Sequence, residues 1–279
     1  MAAPKKTENQ EEITILPIKQ GLVTIAFIWQ TPLLYNTVNQ KAQRELLMPR
    51  GRLSKADKAS NLKHDPLVEY RGSVTRRRES DHGQTRLVMK SETFKAAIAH
   101  AALDMPGSAS KAQIGRLTWV EGLSVDIFGV PQIHAGIVRM ADIGRTPDIR
   151  FRACLPRWCG VVSIRYMTPM LTGNGVCALF AAAGMICGIG DFRQQKGKGS
   201  YGQFRMCDID DPEFLEIKRE GGTEAQDAAL ENPVCFDAET EELLMWFNTE
   251  RSRRGRDDHE VAEKVVKPKK STHAAEGHA

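Results

Sequence analysis

No run of about 18 consecutive apolar residues occurs in the chain, so the sequence offers no transmembrane helix. The opening MAAPKKTENQEE carries charge but lacks the apolar h-region of a secretory signal, which makes the cytoplasm the expected compartment. The cysteines Cys154, Cys159, Cys177, Cys187, Cys207 and Cys235 form no C-x-x-C pair, and no second pair follows at zinc spacing. They are expected as reduced thiols that fill apolar positions, with no metal and no other cofactor.

Catalytic signatures are also missing. G-x-S-x-G, H-E-x-x-H and the zinc-deaminase pattern do not occur, and His64, His82, His100 and His134 are scattered. Asp57, Asp65 and Asp81 fall in or near irregular segments, where a single aspartate is a very weak signal of nuclease chemistry. The expectation is a protein without catalytic residues. Asp191 is expected to orient local backbone or Arg193.

What is present is charge, unevenly placed. Residues 19–205 hold 27 Lys and Arg against 13 Asp and Glu, whereas residues 206–263 hold 6 against 18. The formal net charge of +4 hides this division. A basic core followed by an acidic segment points to a polyanionic partner; the competing reading is a basic surface that serves solubility.

Hydrophobic patterning predicts a strand over 22–30 and a helix capped by Asn36 running to Pro49. A basic, aperiodic insertion covers 50–62, a strand edge 68–78, and a short strand 85–89. Ser91 is the expected cap of a helix over 94–103, followed by a loop over 104–116. Strands are expected at 117–120, 123–128, 132–140, 148–154 and 160–167. Thr172 or Asn174 caps an apolar helix ending at Cys187, with Gly188 beyond it and a last strand over 203–207. An outer helix is expected over 239–248. The order strand, helix, strands, helix, strand is that of an α+β, ferredoxin-like or RRM-like domain.

The glycine-rich loop GIGDFRQQKGKGSYG is the most informative motif. Gly188, Gly190, Gly197, Gly199 and Gly202 permit close backbone approach and positive φ, Arg193, Lys196 and Lys198 supply phosphate donors, and Tyr201 is a candidate for base stacking. It is not a dinucleotide fingerprint, because Arg193 stands where the third glycine belongs, and no Walker A match exists. The loop also follows a helix and precedes a strand, the reverse of nucleotide loops. A flexible basic turn is the plain alternative. A second group, Arg71, Arg76, Arg77, Arg78, Lys90, Lys95, Lys111 and Arg116, is suited to phosphate contact or to a solvated basic face. Arg139, Arg150, Arg152 and Arg165 fall on predicted strands, and Arg150 and Arg152 share one face. Trp119, Trp158 and Trp246 are isolated and read as core or interface residues rather than base platforms.

The segment Thr31-Pro32-Leu33-Leu34-Tyr35 after the first strand, the small-residue helix at 91–103, and the apolar helix running into the glycine loop resemble the RAMP superfamily. Within it they are most similar to Cas7-type backbone subunits of CRISPR effector complexes and their phage- or plasmid-borne relatives. The resemblance covers roughly residues 13–208. It implies an RRM-like palm with finger or thumb insertions at 36–85 and 104–130. It also implies a single-stranded guide RNA as ligand, self-association head to tail, and contact with other effector subunits. The acidic stretch 209–256 has no counterpart in that picture, and 1–12 and 257–279 are read as disordered ends. A phage single-stranded DNA-binding or annealing protein, a RAMP-type endoribonuclease, and a phage structural or assembly protein whose basic core meets acidic partners remain rival readings.

Overall fold

The computed structural model describes residues 17–37, 47, 64–78, 81, 83–139, 147–196 and 199–254. The first strand, β1 (Lys19–Trp29), carries Ile25, Ala26, Phe27 and Ile28 as four buried residues in succession, so it has core on both of its faces. Then come β2 (Leu33–Leu34), α1 (Pro66–Gly72), β3 (Val88–Lys90), α2 (Ser91–Ala101) and α3 (Lys111–Leu117). Strands β4 (Thr118–Val120), β5 (Ser124–Phe128), β6 (Gln132–Arg139), β7 (Pro147–Leu155) and β8 (Cys159–Thr168) lead to α4 (Gly173–Ala182). The last elements among the described residues are β9 (Phe204–Cys207), α5 (Pro212–Glu220), α6 (Thr223–Glu231) and α7 (Ala238–Arg253).

The main sheet runs β3-β5-β8-β1-β9, with β4 also paired to β8. Taking β1, β4/β5, β8 and β9 as the four palm strands and α2 and α4 as the two helices gives β-α-β-β-α-β. β1 lies between β8 and β9, antiparallel to both. This is a ferredoxin-like α+β palm. A second sheet, β2-β7-β6, is built on the long β6–β7 hairpin.

Alternation along β1 sorts its side chains between two layers. Phe27 meets Phe94 of α2, Phe180 of α4 and Phe204 of β9 at ring-centroid distances of 5.3, 5.9 and 5.5 Å. Ala26 and Ile28 pack on the opposite face with Phe128, Cys159, and Phe214 and Ile217 of α5. Helices α2 and α4 therefore cover one face, and α5 the other.

Several expectations need correction. Residues 66–72 form a helix rather than a strand edge, because Asp65 accepts the Val68 amide (3.1 Å) and Pro66 starts the first turn. The expected loop over 104–116 contains α3, closed by a capping box between Ser110 and Gln113. Residues 118–128 form β4 and β5 of the main sheet, and the β6–β7 hairpin belongs to the second sheet. Ser91 does not cap α2 but is its first residue. Thr172, rather than Asn174, caps α4, accepting the Gly175 amide at 3.1 Å. The expected helix after Asn36 and the insertion 50–62 lie outside the described residues, apart from Leu47.

Residues 209–241 of the acidic stretch belong to the palm's own unit. Gln226 of α6 is fully buried; its Oε1 accepts the Arg86 and Leu87 amides, both at 2.8 Å. Its Nε2 donates to the Ile127, Gly129 and Gly221 carbonyls at 2.8, 3.1 and 2.8 Å. Asp227 receives the Arg86 fork, and Glu216 receives that of Arg157. Asp227 and Glu216 of the acidic stretch thus pair with the chain's own arginines. The first compact unit ends at Glu241; in the second, Glu250 pairs with Arg253 and Arg254.

Candidate nucleic-acid interface

The end of β2, the β3–α2 junction and the glycine loop meet at a cleft of about 490 Å³. Tyr35, Asn36 and Thr37 form one wall, Lys90 and Thr93 come from the start of α2, and Gly190, Asp191 and Arg193 come from the loop. Lys90 occupies the N-cap position of α2, where no side chain caps the helix. The helix N-terminus and the ammonium therefore favour an anion at the same place. The Tyr35 side chain is buried, and its hydroxyl has no hydrogen-bond partner among the described residues. Burial pushes that phenol well above its ordinary range, so it stays a neutral hydroxyl.

The loop is held by backbone bonds to the β2 segment. The Asp191 amide donates to the Leu34 carbonyl, the Gly202 amide to Pro32, and the Ile189 amide to Gly202, at 2.8, 2.8 and 2.9 Å. These amides are not bare, as a phosphate-cradling loop would have them. The glycines serve this packing: Gly190 has φ +82°, and a Cβ there would stand 2.6 Å from the Leu34 oxygen. The loop stays near the cleft through its side chains.

Arg152 of β7 anchors it. The arginine is buried, and its Nη1 donates to Asp191 Oδ2 at 2.5 Å. Asn36 Nδ2 donates to the same oxygen at 3.0 Å. The Arg152 guanidinium also lies 5.1 Å from the centroid of the Phe192 ring. Phe192 has φ +48°, a conformation that costs a non-glycine residue about 1–2 kcal/mol, and the ring contact helps hold it. Asp191 thus pairs with Arg152, not Arg193. Arg193 donates instead to Gln195 Oε1 (3.0 Å) and the Gly190 carbonyl (3.1 Å), and its Nη2 has no partner among the described residues.

Of the residues singled out in the sequence, Lys90, Gly190 and Arg193 come together. Others are committed elsewhere. Arg71 donates to the Leu230 and Glu231 carbonyls at 2.8 and 2.9 Å, satisfying the end of α6. Arg76 donates to the Arg71 carbonyl, and Arg77 pairs with Asp126. Arg78 is exposed. Lys95 and Lys111 line a separate apolar groove between α2 and α3, where Lys111 meets His100 at 2.8 Å; Arg116 is exposed on α3. Tyr201 lies beside His134 at 6.3 Å between ring centroids, not on the cleft wall. Arg165 pairs with Glu121. The Lys196 side chain, Lys198 and Asp57 lie outside the described residues.

Asp65 is a helix cap, and among the described residues no group of three potential metal ligands forms. Trp158 is fully buried and Trp246 exposed. Tyr35, Asn36 and the Arg152–Asp191 pair were not read as site residues. The first two lie in and just after the TPLLY segment, whose burial no periodicity announces.

No family model matches the sequence, and no curated protein matches it. Among solved structures, Cmr6 from Pyrococcus furiosus aligns with 69% of this chain and 100% of its own, at 10% identity and a TM-score of 0.33. So loose a superposition leaves the site to be read from its own residues. Among the described residues no helix is long and apolar enough to cross a membrane. The findings add up to an α+β ferredoxin-like palm bearing a cationic cleft.

Proposed function

We propose that the chain binds single-stranded RNA by its sugar–phosphate backbone in the Lys90–Arg193 cleft, as a non-catalytic subunit of a repeated, RAMP-type ribonucleoprotein. The observation that carries the reading is the convergence of Lys90, Arg193 and the uncapped start of α2 on one cleft, beside a tyrosine hydroxyl without a partner among the described residues. Phosphate contacts of this kind position a strand without reading its sequence. The cleft volume sits within the roughly 300–1,000 Å³ range of ligand sites, so each copy grips a short piece of strand. Repetition along one RNA then raises affinity through effective concentration. Assembly head to tail and partnership with other effector subunits follow from the sequence resemblance alone.

The test is titration of labelled single-stranded RNA against the purified chain over a series of salt concentrations. Salt-sensitive binding that weakens in Lys90→Glu and Arg193→Glu supports the reading. Binding that ignores both substitutions removes the cleft from it. Release of shortened RNA during the incubation would overturn the non-catalytic part.

A further inference from the structure

An acidic side chain in a cleft for a polyanion calls for a reason. Asp191 lines the same cleft as Lys90 and Arg193, and its carboxylate is partly exposed. Both donors that fix it, Arg152 Nη1 and Asn36 Nδ2, go to a single oxygen, Oδ2. Oδ1 has no partner among the described residues. The buried Arg152 offsets the negative charge, so Asp191 does not present the strand with an isolated anion. What it presents is a fixed, directional acceptor. A carboxylate accepts hydrogen bonds and cannot donate them.

Phosphate oxygens are acceptors too and cannot satisfy Oδ1. Of the groups that lie next to every phosphate in a nucleic acid strand, the ribose 2′-hydroxyl is a neutral donor, and deoxyribose lacks it. Acidic residues recognise ribose hydroxyls in the same way in dinucleotide-binding folds. Resting on the RNA-binding reading above, we infer that Asp191 is a specificity-determining residue: its Oδ1 accepts the ribose 2′-hydroxyl while Lys90 and Arg193 take the flanking phosphates. The cleft is then selective for RNA over DNA without selecting a base. Asn36 and Arg152 are positioning residues that aim the free oxygen.

The experiment keeps the protein wild type and changes the sugar. Strands of one sequence are compared as RNA, DNA, 2′-fluoro RNA and 2′-O-methyl RNA; the last two resemble ribose in pucker but have no 2′ donor. RNA is expected to bind at least about tenfold more tightly than all three, the scale of one lost hydrogen bond to a charged acceptor. In Asp191→Asn, checked for an unchanged circular dichroism spectrum, that ratio is expected to shrink while salt sensitivity persists.

Equal affinity of wild type for RNA and 2′-fluoro RNA overturns the assignment and leaves the RNA-binding reading standing. A preference that follows base identity instead of sugar does the same, because Oδ1 would then be taking a base amino or imino group. No binding to any strand overturns both.

Discussion

Arg152 and Asp191, 39 residues apart, join the centre of a β-hairpin to a glycine loop through a 2.5 Å hydrogen bond. The arginine is almost wholly enclosed, with 3% of its side chain exposed against 32% for the aspartate. Removing the carboxylate would strand a buried cation; removing the arginine frees an aspartate that water partly reaches. Arg152→Met is therefore expected to destabilise the fold less than Asp191→Leu. For the latter, the loss is about 3 kcal/mol or more by denaturant unfolding. Equal losses would contradict this asymmetry.

The second prediction separates binding charge from structural charge. Each phosphate contact on a single strand contributes about 0.7 to the slope of log K against log salt. Lys90→Gln and Arg193→Gln should each flatten the slope by about that amount. Arg71→Gln should leave it unchanged and lower the melting temperature, since Arg71 is bonded to the end of α6.

Gln226 supports a third. Replacement by methionine keeps the bulk but removes Gln226's bonds to five backbone groups, of which the Gly221 carbonyl still accepts the Gly129 amide. A cost on the order of 3 kcal/mol or more is expected in urea unfolding. A change under about 1 kcal/mol would show that the backbone finds other partners.

Gly202 has φ +73°, and a Cβ there would lie 1.8 Å from the Ile189 oxygen. Gly202→Ala should cost more than about 2 kcal/mol, from left-handed strain plus displacement of the loop. RNA affinity should fall with it, because the loop carries Arg193 to the cleft.

The fifth concerns alkali. Burial pushes the Cys154 and Cys159 thiols up to about 12 from an ordinary value of 9.0. Below pH 9 both folded and unfolded chains hold these protons; above it the unfolded chain releases them first. Stability is therefore full below pH 9 and lost as the pH rises towards 12. The midpoint of urea unfolding should fall across this window, and less steeply in a Cys154→Ala, Cys159→Ala double variant.

The palm was legible because its elements announce themselves. AFI in β1, the Phe94–Ile98 spacing of α2 and the apolar run after Thr172 each dictate local structure strongly. The strands from 118 to 168 were found almost to their ends. The short helices α1 and α3 were missed, since their start depends on caps at Asp65 and Ser110 rather than on apolar periodicity. Lys90, Gly190 and Arg193, which line the cleft, were readable as candidates by residue type. Arg71, Arg77 and Arg152 were not separable from them, because a guanidinium that binds phosphate and one that satisfies a carbonyl or a carboxylate look alike until the fold brings a partner. Counting charges consequently overstated the free cationic surface. The role of α5 and α6 was hidden because their acidic exterior masks Phe214, Ile217 and Gln226, the residues that do the packing.

Strand β1 is synthesised long before the strands that flank it. β1 sits mid-sheet, yet its partners come from Cys159–Thr168 and Phe204–Cys207, so well over a hundred residues must be synthesised before either flank closes. Such sequence-distant pairing makes folding slow. A product ending before Phe204 would leave an apolar strand with an open edge, the situation that invites aggregation.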